Sequence, residues 1–404
     1  MQIDLWEHQA SQPYRLSIDE RDALAEFVDI TPVAGEENAY TLRPGSTVGA
    51  VEIGGLSVSI HPKIDVSRVL YLASYAMGAF RLRHEPFTFA EAPDLVGALV
   101  SAFVSAAQKA FARGLLHGYR TQEEALYTVR GRIAFAEQIR RRFDVPLPVE
   151  VRYDEFTEDI EANRLVKAAA TLLGTLRVEH EASRHGLRHI ASTLANVSLV
   201  RYPPHDIPEV AFDRLNGHYR EVVELSRLVL RHASFEADRG GVRASGFLID
   251  MNVVFQEFVT RSLRETLALS ERGFRSDQGV WEPFDEAGKV HLAPDFSWWE
   301  GSDCVFVGDA KYKNVEGKST PVADLYQALA YATAFEVPAA LLAYAEGEAA
   351  PRIYEVRHAH KRLEVATVRL GGTITELHAS IEQLAQRIRG LRAKNPATRT
   401  SQAA

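Results

Sequence analysis

The chain has a single cysteine, Cys304, among its 404 residues. No disulfide can close within it and no cysteine-based zinc site can form, which suits a reducing cytoplasm. No stretch stays apolar long enough to cross a bilayer. Residues 1–30 lack the charged-then-apolar pattern of an export signal. The expected location is cytoplasmic, with no membrane contact. An excess of positive charge is also missing, since the formal net charge is −8. Most dedicated nucleic-acid binders lean basic, so contact with DNA has to rest on a local face rather than on the whole surface. There is no internal repeat of fixed period.

What is present is the composition of a globular protein long enough for two or three domains. Residues 1–66 read as a β-rich region. Ser17-Ile18-Asp19-Glu20 has the form of a capping box that opens a short helix. The runs Val48–Ile53 and Leu56–Ile60, joined by Gly54-Gly55, predict a hairpin. Residues 67–245 read as mostly helical, with Leu99, Phe103, Ala106 and Ala110 at helical spacing. Pro146 and Pro148 break the pattern, and the acidic run Asp154–Asp159 is expected to start a helix, where acids suit the dipole. The glycine-rich segment Arg239–Gly246 marks a boundary.

Residues 246–372 then alternate helix, strands, helix and strands. The predicted elements are a helix near Asn252–Leu269, strands Val290–Trp298 and Cys304–Gly308, a helix at Val322–Phe335, and strands near Ala339–Ala345, Arg352–Val356 and Leu363–Leu370. This order makes the fold class mixed α/β. Residues 373–404 form a helix with Ile381, Leu384, Ile388 and Leu391 on one side, then a polar tail.

The chemistry concentrates in residues 290–331. Pro294-Asp295 lies in one predicted strand, Asp309-Ala310-Lys311 ends the next, and Gln327 and Tyr331 share a helix face four residues apart. Phosphodiester cleavage uses a hard divalent cation, and carboxylates are its natural ligands. Asp295 and Asp309 on neighbouring strands suit one or two Mg²⁺ (or Mn²⁺) ions, which activate water and polarise the phosphoryl group. Lys311 shares a sheet face with Asp309 because strand side chains alternate. It is placed to stabilise the charged transition state. Gln327 and Tyr331 are candidates to hold the substrate backbone or to position Lys311. The bland alternative is a solvated strand end with a local acid–lysine pair; the ordered combination is much rarer than any of its parts.

The order Pro-Asp, Asp-x-Lys and Gln-x-x-x-Tyr resembles that of the PD-(D/E)xK nucleases. Val48-Gly49, Ile60-His61-Pro62-Lys63-Ile64, Arg130-Gly131-Arg132-Ile133, Tyr153 through Asp159 with Asn163-Arg164-Leu165, and Met251-Asn252 before Phe255 resemble the McrC family over about residues 40–345. The resemblance implies the nuclease subunit of a modification-dependent (5-methylcytosine-type) restriction system. It also implies a C-terminal nuclease core, modified DNA as substrate, and an McrB-like AAA+ GTPase ring contacted by the β-rich N-terminal region. It places Asp295, Asp309 and Lys311 at the catalytic positions. Gln256, a further metal-ligand candidate, stands where the family often carries a glutamate. Its neutral oxygen offers less charge, and Glu257, turned about 100° around the helix, is no simple replacement. Two other readings are a regulatory scaffold with weak or no nuclease activity and a stand-alone RecB-like nuclease.

Other motifs carry less. Gly317-Lys318-Ser319-Thr320 lacks the first glycine of a phosphate loop, so no nucleotide site is expected in this chain; Thr320 is expected to cap a helix that begins at Pro321. Arg140-Arg141-Arg142 suits phosphates, a partner or solvent equally well. His358-Ala359-His360 is expected to be exposed.

Overall fold

The computed structural model describes residues 1–78, 94–143, 145–234, 244–276, 282–315, 317, 319–347 and 350–393. Residues 239–243 of the glycine-rich boundary, Lys318 and the tail from Asn395 lie outside these. The chain forms two compact units, each drawn from separated stretches. One comprises Met1–Gln2, Ala50–Val58 and Phe87–Leu248; the other comprises Ile3–Gly49, Ser59–Pro86 and Ile249–Ala404.

The first unit is mainly helical. Helices Leu95–Phe111, Glu161–Thr175, Glu181–Thr193 and Arg220–Arg231 pack around Leu99, Phe103, Ala106 and Ala110, none more than 1% exposed. The helical spacing of those four residues is what buries them together. A three-stranded antiparallel sheet, not announced by periodicity, stands among the helices: Gly118–Leu126 pairs with Val149–Thr157, which also pairs with Arg132–Ile133. The acidic run therefore departs from expectation. Asp154–Thr157 finishes a strand, and the helix begins only at Glu161. Pairing explains it, since Thr121 Oγ1 donates to Asp154 at 2.7 Å across the sheet. Cross-strand polar pairs extend the strand past Tyr153, where the alternation of Val149, Val151 and Tyr153 gives way to acids.

In the second unit the Ser17–Glu20 capping box forms at the start of helix Ile18–Leu24. Helix α1 (Val66–Ala76) packs on α2 (Met251–Thr266). Then follow strands β1 (Phe274–Ser276), β2 (Phe296–Glu300) and β3 (Asp303–Asn314), helix α3 (Val322–Ala334), strands β4 (Ala339–Glu346), β5 (Arg352–Val356) and β6 (Lys361–Thr367), and helix α4 (Ile374–Leu391). The six strands make one mixed sheet in the order β1-β2-β3-β4-β6-β5, with β3, β4 and β6 parallel. The β3–α3–β4 unit is a crossover whose helix covers one face. Ala328, Tyr331, Ala332 and Phe335 of α3 pack there on Val307, Ala340, Leu342 and Tyr344. The parallel strands β3, β4 and β6 are buried on both sides over their middles, so their apolar runs are nearly continuous.

Two boundaries differ from the sequence expectation. Val290–Trp298 is not one strand: a short His291–Leu292 pair precedes a break at Ala293–Asp295, and β2 starts at Phe296. Pro294 has no N–H to give a ladder, so pairing stops there. Strand β3 does not end at Gly308 either; it carries Asp309 in its interior and runs to Asn314, held by the parallel register Asp309↔Leu342 and Lys311↔Tyr344. Gly308 is required where it stands. A Cβ would run into the Phe296 ring and come within 2.9 Å of the Leu341 carbonyl oxygen.

Candidate active site

The break before β2 builds the site. Beyond the Phe296↔Gly308 pair, β2 has no further residue in the ladder. The Asp295 carboxylate takes over that edge, and its Oδ2 accepts the Ala310 N–H at 2.7 Å. This bond holds Asp295 beside the middle of β3, between Asp309 and Lys311.

Alternation along β3 sends Asp309, Lys311 and Lys313 to the face covered by α3, and Gly308, Ala310 and Tyr312 to the other. Asp309 is 1% exposed. Its Oδ2 lies 2.5 Å from Lys311 Nζ, yet among the described residues neither oxygen accepts a hydrogen bond of regular geometry. Burial pushes the Asp309 carboxyl above its ordinary range, the adjacent Lys311 ammonium pulls it back, and the charge of Asp324 adds to the rise. A buried carboxylate so poorly satisfied is costly.

Helix α3 supplies the next layer. Gln327 Nε2 donates to the Tyr331 hydroxyl at 2.8 Å, and that hydroxyl donates to the Ala293 carbonyl at 3.1 Å. Gln327 and Tyr331 therefore grip the turn that carries Asp295. Burial, then the charge of Asp309, holds the Tyr331 phenol well above its usual range, so it stays a neutral donor.

The structure brings Asp295, Asp309, Lys311, Gln327 and Tyr331 together. It places Gln256 less directly. Gln256 lies on α2 one turn before Thr260, whose Oγ1 donates to the Asp295 carbonyl at 3.4 Å, and Gln256 itself makes no hydrogen bond to either carboxylate among the described residues. Sequence reasoning missed Asp324. It is 6% exposed, receives Lys313 Nζ at 3.1 and 3.2 Å, and accepts a hydrogen bond from the Tyr344 hydroxyl at 2.5 Å. The available signal was spacing: Lys313 continues the Asp309–Lys311 alternation, and Asp324 precedes Gln327 by three on one helix face.

The residues suit a hard cation. Two acidic side chains converge, one of them buried and short of partners. No three His, Cys, Asp or Glu side chains gather into a closed metal cage among the described residues. Mg²⁺ takes one or two carboxylates and keeps several waters, so an open pair is the matching donor set.

The remaining motifs have structural partners. Arg140 and Arg141 pair with Glu137 at 2.5 and 3.2 Å, and Arg142 pairs with Glu150 at 3.0 Å. Thr320 does not cap α3, which starts after Pro321; its hydroxyl instead meets the Tyr354 hydroxyl at 2.8 Å. His358 and His360 are exposed in the turn between β5 and β6, both with positive φ.

Comparison with known proteins agrees with this architecture. A curated relative, the type IV methyl-directed restriction enzyme EcoKMcrBC of Escherichia coli (strain K12), is 22% identical over 213 residues; the match covers 51% of this chain and 60% of that protein. A solved structure, a half-complex of a tetradecameric assembly of Thermococcus gammatolerans McrB AAA+ hexamers with bound McrC, matches with a TM-score of 0.58 and 18% identity, over 95% of this chain and all of the matched one. It shares the fold. The model of the McrBC 5-methylcytosine restriction system component family matches residues 42–345, a span that includes every site residue named above, and the chain belongs to that family.

Proposed function

We propose that this chain is the Mg²⁺-dependent endonuclease subunit of a modification-dependent restriction system, cutting DNA in the cytoplasm with an McrB-like AAA+ GTPase whose hydrolysis it stimulates. The observation that carries the reading is the buried Asp309, held by one ammonium on the face where Asp295 is pinned to the same strand. Asp295 and Asp309 would hold the cation. A bound Mg²⁺ would polarise the phosphoryl oxygen and lower the pKa of the attacking water.

The chain's own groups do the rest. Lys311, 20% exposed, stands beside the carboxylates, where it would stabilise the negative charge that a scissile phosphate gains. Gln327 and Tyr331 act through the backbone at Ala293, keeping Asp295 in register with β3. The motor is borrowed: the solved relative is an McrC bound to McrB AAA+ hexamers.

The test is cleavage of 5-methylcytosine-bearing DNA by the full chain with its cognate AAA+ partner, GTP and Mg²⁺. Cleavage is expected and Asp309→Ala should abolish it; undiminished cutting by that variant overturns the reading. Gln256, uncharged where the family often carries a glutamate, favours a second reading, a scaffold that activates the motor without cutting. GTP hydrolysis stimulated by a chain that cuts nothing would select it.

A further inference from the structure

Two of the sequence motifs singled out above meet on one side chain, next to the Asp309–Lys311 motif, that the site itself does not use. Tyr312 follows Lys311 on β3 and points to the opposite face of the sheet. It is 2% exposed. Lys63, from the Ile60–Ile64 motif, sets its Nζ 3.9 Å from the centre of the Tyr312 ring. Glu7, 3% exposed, accepts the Tyr312 hydroxyl at 3.3 Å and the Lys63 backbone N–H at 3.2 Å on the same oxygen, Oε2. Phe255, which closes the Met251–Phe255 motif and adjoins Gln256, packs its ring 6.0 Å from that of Tyr312.

We infer that Glu7, Lys63 and Tyr312 form a positioning buttress behind the catalytic strand, fixing β3 so that Asp309 and Lys311 keep their places on the other face. The inference rests on the nuclease reading given above. The geometry favours this role over simple core filling. A core position needs apolar volume only, whereas here an ammonium and a buried carboxylate, whose other oxygen lies 3.3 Å from His8 Nε2, meet on one tyrosine. A buried acid costs stability unless partnered, and burial does push Glu7 above the usual carboxylate range, with the Lys63 N–H and charge pulling it back. A cation over an aromatic face is directional, and a hydroxyl bonded to a fixed carboxylate sets the ring's height. Together they define where Tyr312 sits along β3, and hence its neighbour Lys311. The same tyrosine touches the residue before Gln256, so the strand and the helix beside the site share one support.

The test uses the full chain with its AAA+ partner, Mg²⁺ and a 5-methylcytosine-bearing plasmid, together with hydrogen–deuterium exchange of the chain. Lys63→Met and Tyr312→Phe should lower kcat on the order of 10- to 100-fold, as a small misplacement of catalytic groups does, with KM for DNA unchanged. Lys63→Arg, which keeps a cation over the ring, should restore most of it. Exchange should rise at the amides of residues 309–313, including the Ala310 N–H bound to Asp295, and not elsewhere. Wild-type kcat in both variants, in a preparation where Asp309→Ala abolishes cutting, overturns the buttress and leaves the nuclease reading intact. Exchange that is unchanged, or raised over the whole chain, overturns it too. Full cutting by Asp309→Ala would instead remove the nuclease reading, and the exchange result still decides whether the buttress holds the strand.

Discussion

Lys311 Nζ lies 2.5 Å from Asp309 Oδ2, two residues apart on one face of one strand, and this ammonium is the countercharge of a carboxylate that is almost completely buried. The proposed cation would join Lys311 as a second partner of Asp309. Lys311→Met should lower unfolding stability in EDTA by about 2 kcal/mol, because a buried acceptor loses its partner. Mg²⁺ at about 100 times its Kd should return about 2.7 kcal/mol through binding to the folded state. Asp309→Ala should show no Mg²⁺ response. Thermal melts of the three chains with and without Mg²⁺ check this; equal Mg²⁺ stabilisation of Asp309→Ala would place the cation elsewhere.

Tyr331 reaches the candidate site through its hydroxyl, while its ring packs in the core. Tyr331→Phe keeps the ring in the α3 core and removes both the Gln327 bond and the Ala293 bond. A stability loss of about 2 kcal/mol is expected, the net worth of two ordinary hydrogen bonds. The loss in kcat should be larger than that figure implies, since the Ala293–Asp295 turn is freed. Equal kcat in Tyr331→Phe and wild type would show that Asp295 is held by the Ala310 N–H without help.

The Lys313–Asp324 pair is asymmetric. Lys313 is half exposed, whereas Asp324 is buried and also takes the Tyr344 hydroxyl. Asp324→Ala leaves a buried hydroxyl without its acceptor and should cost about 2 kcal/mol. Lys313→Met removes only a partly solvated ion pair and should cost about 0.5 kcal/mol. Urea unfolding of both variants measures the difference; equal losses would mean that Tyr344 finds another acceptor.

Much of the site was legible because its signals are local. Asp309 and Lys311 share a face by strand alternation, and Gln327 and Tyr331 by helical spacing, so order and periodicity were enough. Asp324 was missed: its spacing from Gln327 put it on the same helix face, but its pairing with Lys313 depends on which turn of α3 meets β3, a tertiary fact. The extent of β3 was misjudged for a related reason: an acid and a lysine look like a strand end until a parallel neighbour pairs with them. The sheet at Gly118–Thr157 escaped notice because Gly118–Leu126 is mostly polar, and the short alternation Val149, Val151, Tyr153 runs straight into an acidic stretch that reads as a helix start. The Ile60–Ile64 motif was recognisable as a pattern, but its contact with Tyr312, some 250 positions along the chain, was not.

Asp159 closes the acidic run that the sequence singled out, and its role is now physical. Arg164 holds it through Nε and Nη2, both at 2.7 Å, Arg120 adds a third donor at 2.5 Å, and the Ser198 N–H and hydroxyl donate at 2.9 and 2.8 Å. Bonding to Arg164, above all, depresses the Asp159 carboxyl well below its ordinary value of 3.8. The unfolded chain then binds this proton more readily than the folded one. Stability from Asp159 is fully present above pH 3.8 and is lost as pH falls from there toward the depressed folded value. Asp159→Asn should therefore be less stable than wild type at pH 7 by about 2 kcal/mol, the scale of hydrogen bonds to a charged group. The gap should narrow as pH drops below 3.8, where wild type also protonates. Denaturant midpoints of the two chains from pH 7 to pH 3 measure it, and a gap that stays constant across that range would show that shape, not charge, is what Asp159 provides.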